Sequence, residues 1–122
     1  MSQSRKHRGY RSQKVVADWF VQHGFPHAES AGAGRSGNDV TGVPGLRIEV
    51  KARRAFSPLA WLRQVRAGTE EWHHGVPFVV FRCDGQGEAN VGEWGALLRL
   101  DDLTTLLNEA GYGTPVLEPN DE

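Results

Sequence analysis

The sequence has a single cysteine, Cys83, so no disulfide can close within the chain, and no paired Cys or His spacing suggests a structural zinc site. The expectation is a reducing compartment. Long apolar runs are also missing. Nothing approaches the roughly 20 apolar residues of a membrane span, and no apolar segment follows the basic opening MSQSRKHRGYRSQK as a secretory signal would require. These absences point to a cytoplasmic protein with no membrane partner. Internal repeats and low-complexity linkers are lacking too, and 122 residues suffice for one modest hydrophobic core. What is present, 39% hydrophobic and 24% charged residues, is the composition of a folded globular domain. We expect one domain over residues 1–111 with a basic arm at 1–10, then an acidic, disordered tail at 112–122.

A net charge of -1 conceals a division of the chain. Residues 1–66 hold twelve Lys or Arg against four acids, whereas residues 67–122 hold two against eleven. Such a division suits either a positive face for a polyanion or ordinary solvated charge.

Apolar Val15, Val16, Trp19 and Phe20 recur at helical spacing from Ser12, with Gly24 as the stop. A short strand is expected within Pro26–Ala31, then the glycine-rich loop AGAGRSGN. Asp39–Thr41, a Val43-Pro44-Gly45 turn and the period-two run LRIEVKA read as a hairpin. Ser57-Pro58 starts a helix running to about His73, PFVVFRC is a buried central strand that includes Cys83, DGQGEAN is a turn, and a strand near Ala96–Leu100 precedes a helix over about Asp102–Ala110. The predicted order is αβββαββα, an α/β fold with a mixed central sheet flanked by helices.

Period two places Glu49 and Lys51 on one face of their strand, predicted to point outward, opposite Leu46, Ile48 and Val50. The turn folds this strand back beside Asp39, so two carboxylates and an ammonium can converge. Magnesium takes oxygen ligands and is commonly held by one or two carboxylates together with waters and a substrate phosphate. Asp39 and Glu49 supply such oxygens, the backbone carbonyl of Val50 is a further candidate ligand, and manganese is expected to substitute. Lys51 would orient or help deprotonate the attacking water, or stabilise the transition state. Glu-x-Lys on a strand also occurs as a plain surface ion pair; Asn38-Asp39, the turn, the glycine-rich loop, the upstream helix and Arg53-Arg54 supply the context favouring chemistry.

With these residues in view, the chain resembles the Asp/Glu-x-Lys nuclease superfamily and, within it, the archaeal-type Holliday junction resolvases. The likeness covers about residues 9–100 and rests on Gly24-Phe25, Ser30-Ala31-Gly32, Asp39, Glu49-Val50-Lys51 and Gly75-Val76-Pro77. It implies a restriction-endonuclease-like fold, magnesium on Asp39 and Glu49, Lys51 as the catalytic lysine and Ser30 at the active-site loop. It also implies a homodimer whose paired sites cut opposing strands of a four-way junction. Gln13 stands where that family carries a metal-supporting glutamate on the first helix. An amide oxygen can ligate magnesium but adds no charge. Glu29 stands where the family tends to have arginine, and reads as an exposed strand residue. The same motif also serves nicking, repair and restriction nucleases, and a non-catalytic DNA-binding module would keep the same fold.

The candidate DNA-binding residues are Arg5, Lys6, Arg8, Arg11 and Lys14 of the arm and first helix, Arg35 of the glycine-rich loop, and Arg53, Arg54 and Arg63 near the motif strand, with Arg66 continuing their charge. Gln64 is placed to order a water or contact DNA. Trp61 reads as packing rather than a base-stacking surface, and Trp19, Phe20, Phe78 and Phe81 as core. Adjacent His73 and His74 diverge on a helix end and so read as no metal site.

Overall fold

The computed structural model describes residues 2–31, 39–70 and 75–114, with side chains for 9–31, 39–67 and 75–114. Arg35 and the rest of the glycine-rich segment, His73-His74, the side chains of Arg5, Lys6 and Arg8, and the tail beyond residue 114 lie outside the described residues.

The elements are α1 (Ser2–Gln22), β1 (Glu29–Ser30), β2 (Val40–Thr41), β3 (Leu46–Lys51), α2 (Pro58–Glu70), β4 (Val76–Phe81), a 3-10 helix (Glu88–Glu93), β5 (Gly95–Leu97) and α3 (Leu100–Glu109). Their order is the predicted αβββαββα, and the strands lie side by side in chain order in an open mixed sheet. β3 and β4 are parallel, and the other neighbouring pairs are antiparallel. The parallel pair needs a crossover connection, and α2 provides it.

The β2–β3 connection follows from its turn chemistry. Pro44 and Gly45 occupy the two central positions of a turn closed by the Leu46 N–H donating to the Val43 carbonyl at 3.2 Å. Gly45 has φ +79°, the left-handed value that a proline-started type II turn requires at its third residue. Gly24, just past α1, has φ +101° and ends that helix as expected.

Three layers result. Val16 and Ala17 of α1 pack on Val40, Val43, Ile48, Val50 and Phe78, with Trp94 completing the cluster. On the opposite face, Trp61 and Val65 of α2 cover Val79, with Phe81 and Leu97 alongside. Pro77 is accommodated in β4 because alternation turns its nitrogen away from β3, towards a side where β5 pairs only with Val79–Phe81.

Several boundaries differ from the expected ones. α1 starts at Ser2, ten residues before Ser12, so the backbone of the basic arm continues the helix. β1 is limited to Glu29–Ser30, β5 to Gly95–Leu97, and α3 begins at Leu100. The polar DGQGEAN segment contains the start of a 3-10 helix, which no hydrophobic period announces. Cys83 is exposed and lies beyond β4 rather than buried within it: the ladder ends where the Arg82 N–H donates to the Lys51 carbonyl, and a turn follows. No helix among the described residues is long and apolar enough to cross a membrane.

Candidate active site

Asp39 sits where β1, β2 and β3 meet. Its N–H donates to the Ile48 carbonyl at 2.8 Å, and its carbonyl accepts from the Ala31 N–H at 2.9 Å. Its side chain then takes over the next step of the ladder, with Oδ2 accepting from the Val50 N–H at 2.8 Å. The carboxylate is therefore tied to the motif strand by backbone and side chain together. The Gly45 and Lys51 carbonyls face β4 while the Ile48 carbonyl faces Asp39. Strand alternation accordingly turns the carbonyl of Val50 to the Asp39 side.

Glu49 and Lys51 share a face as period two requires, but that face does not point outward. Asp39, Glu49 and Lys51 are 7%, 6% and 7% exposed, and Arg47 beside them is 6%. Alternation separates the two faces of a strand without saying what covers either one; here α2 lies over the charged face. Gln64 of α2 completes the site. Its Oε1 accepts from Lys51 Nζ at 2.8 Å and its Nε2 donates to Glu49 Oε1 at 3.3 Å, while Lys51 Nζ and Glu49 Oε1 are 3.8 Å apart. Lysine can only donate and an ionised carboxylate only accept, so an amide with one end of each kind suits the gap between them.

The electrostatics follow from this crowding. Burial, followed by the neighbouring Asp39 carboxylate, pushes Glu49 up to about 7 from 4.5. Burial also raises Asp39, against the Val50 N–H bond and the charges of Lys51 and Arg47. Burial lowers Lys51, although Glu49 and Asp39 oppose that shift. Two carboxylates whose ionisation is hindered by burial, one of them also by the other's charge, and a lysine brought closer to neutrality are common in sites that handle protons or cations.

No family model, curated protein or solved structure matches the chain.

The structure brings together Asp39, Glu49 and Lys51, with Val50 supplying backbone. Gln64 joins them, and Arg47 acts electrostatically on both carboxylates. Arg47 was assigned no role from the sequence, although its place two residues before Glu49 was a signal for it. Ser30 pairs with Val40, one residue from Asp39, and Gln13 is half-buried on α1. Neither has a hydrogen bond to the triad among the described residues, but Gln13 Oε1 is buried without a hydrogen-bond partner. Glu29 is exposed on β1, as expected.

Among the described residues no group of three or more His, Cys, Asp or Glu is poised for a metal. Two carboxylates raised by burial, Glu49 also by the charge of Asp39, nevertheless fit magnesium, which needs one or two such ligands and fills its other positions with water and phosphate.

The candidate DNA-binding residues fare unevenly. Arg11 pairs with Glu88 at 2.7 Å, Arg54 with Asp84 at 3.0 Å, Arg66 with Asp102 at 3.4 Å, and Lys14 lies 3.9 Å from Asp18. Arg53 and Arg63 are exposed with no ion-pair partner among the described residues.

Proposed function

We propose that the chain is a metal-dependent endodeoxyribonuclease of restriction-endonuclease-like fold, acting in the cytoplasm on branched DNA. In its most specific form it resolves four-way junctions as a homodimer, each copy cutting one strand. The observation that carries the reading is the convergence of buried Asp39, Glu49 and Lys51 at the β2–β3 hairpin, with Gln64 bridging the last two.

Asp39 and Glu49 would hold magnesium, with the Val50 carbonyl turned to the same side. A bound divalent cation lowers the pKa of coordinated water and neutralises charge developing on the phosphate. The chain's own contribution is then positional and protonic. The Val50 N–H fixes the Asp39 carboxylate, so this ligand needs no reordering. Gln64 holds Lys51 Nζ away from a tight ion pair with Glu49, leaving the amine available for water or a phosphate oxygen. Burial brings Lys51 closer to the neutral state in which it accepts a proton from the attacking water. Protonated, the same amine stabilises charge on the phosphate. Ser30 and Gln13 are proposed to act at the edge of this site, Gln13 through the buried amide oxygen that lacks a partner.

The test compares a synthetic four-way junction with linear duplex of the same sequence in magnesium, with Asp39→Asn as control. Paired symmetric nicks in the junction, much slower duplex cutting and loss of both in Asp39→Asn are expected; equal cutting of the two substrates would reassign the protein to a generic nuclease. The uncharged Gln13 favours one further reading, a DNA-binding module without activity. Junction binding with no cleavage in magnesium or manganese would support that reading instead.

A further inference from the structure

The face of the sheet that carries Glu49 and Lys51 continues sideways into an aromatic patch. Lys51 lies opposite Phe81 in the parallel register of β3 and β4, and Phe81 packs on the α2 side against Trp61 and Val79. Phe56, in the connection between β3 and α2, sets its ring centroid 5.1 Å from that of Phe81. It meets Trp61 edge-on at 5.3 Å and 87°.

Both supporting rings are packed against the body of the fold. Trp61 is buried, and Phe81 lies against Gly95 so closely that a Cβ there would come within 2.1 Å of the ring. Phe56 is therefore propped by two packed neighbours, yet it remains 55% exposed. Leu59, the second residue of α2, is a further exposed apolar side chain, at 58%. Arg53 and Arg54 precede the ring, both exposed. Arg54 is held by Asp84, whereas Arg53 acts electrostatically on Glu49 and Lys51.

A supported, open ring beside cations and the proposed phosphate site matches the chemistry by which proteins hold single strands: bases stack on aromatics while phosphates meet Arg or Lys. We propose that Phe56 is a stacking platform for an unpaired base of the DNA strand whose phosphate is handled at Glu49 and Lys51, with Arg53 on a flanking phosphate. This rests on the nuclease reading and narrows its substrate to DNA with unpaired bases at or beside the cut, as at a branch point. A fully paired duplex offers no free base without the energy of unstacking one.

The experiment measures binding of a short single strand and of the matching duplex in EDTA, where no cleavage intervenes. Phe56→Ala is expected to weaken single-strand binding about tenfold and duplex binding by less than about twofold. Phe56→Trp retains wild-type binding. Phe56→Leu, still apolar, behaves like Phe56→Ala. A 2-aminopurine in the single strand is quenched by the wild type and not by Phe56→Ala. Wild-type-like binding by Phe56→Leu, equal losses on both DNAs, or no single-strand binding by the wild type would overturn the proposal. So would a fall in sedimentation coefficient for Phe56→Ala, which would assign the ring to a contact between copies. The nuclease reading fails separately: a wild type that shows the expected binding pattern but cuts no DNA in magnesium keeps the platform and loses the enzyme.

Discussion

Glu49 shows how one side chain ties stability to chemistry. In the fold it retains its proton up to about pH 7, whereas an ordinary glutamate releases it near 4.5. Between those values the folded state binds a proton that the unfolded chain has lost, so stability of the metal-free protein declines as pH rises from about 4.5 to about 7. The raised Asp39 acts in the same direction. Thermal midpoints in EDTA should fall across that window for the wild type and run flatter for Glu49→Gln, which cannot ionise; a wild-type midpoint rising relative to the variant would contradict the assignment. If Asp39 and Glu49 hold magnesium as proposed, the metal binds the ionised pair, so its stabilising effect should grow over the same window and be small at low pH. Gln64 permits a second test. Gln64→Ala frees Lys51 Nζ and Glu49 Oε1 from their shared amide and, on the proposed nuclease reading, should lower cleavage about 10–100-fold, the usual effect of losing a supporting hydrogen bond beside a metal. Folding should be little affected, because the side chain is itself open to solvent. Unchanged cleavage would mean that the bridge has no part in the reaction.

At the scale of elements, the charged face of β3 is buried because α2 lies over it. Trp61 and Val65 anchor that helix on Val79, and Gln64 reaches the site from the same helix. Trp61→Ala removes the largest anchor and should cost about 3–5 kcal/mol in urea unfolding, with cleavage lost before the fold is. Full activity in this destabilised variant would show that the α2 cover is dispensable. This dependence also explains what the sequence could reveal. The alternation in LRIEVK identifies β3 and the shared face of Glu49 and Lys51, and Val43-Pro44-Gly45 identifies the turn that brings Asp39 beside them. All eight helices and strands could be ordered because each has a period or a turn signal of its own. The burial of the charged face could not be read, since it depends on where α2 lands after a crossover, which is long-range information. Cys83 falls outside the strand for a related reason: an apolar run marks a strand's interior but not the residue at which its neighbour stops pairing. The 3-10 helix at Glu88–Glu93 has no buried residue, hence no hydrophobic pattern to betray it.

Across the whole molecule, folding partly cancels the division of charge along the chain. Acids of residues 67–122 meet arginines of residues 1–66 at Arg11–Glu88, Arg54–Asp84 and Arg66–Asp102. The first two pairs are largely exposed and the third is part-buried; exposed pairs contribute little stability individually, but on the proposed function all three decide which cations remain to meet DNA. An arginine already facing a carboxylate releases that partner when it binds phosphate, so its net effect on DNA affinity is reduced. Arg53 and Arg63, with no ion-pair partner among the described residues, carry no such penalty. Each phosphate neutralised by a protein cation contributes about -0.9 to the slope of log affinity against log salt concentration on duplex DNA. Arg53→Ala and Arg63→Ala should therefore each flatten the measured slope by about one contact, whereas Arg54→Ala should flatten it less because Asp84 already shares that charge. Asp84→Ala, which releases Arg54, should steepen the slope. Binding measured by anisotropy at several salt concentrations in EDTA separates these outcomes. Equal slopes for all four variants would place the DNA on another face of the molecule, away from β3 and α2.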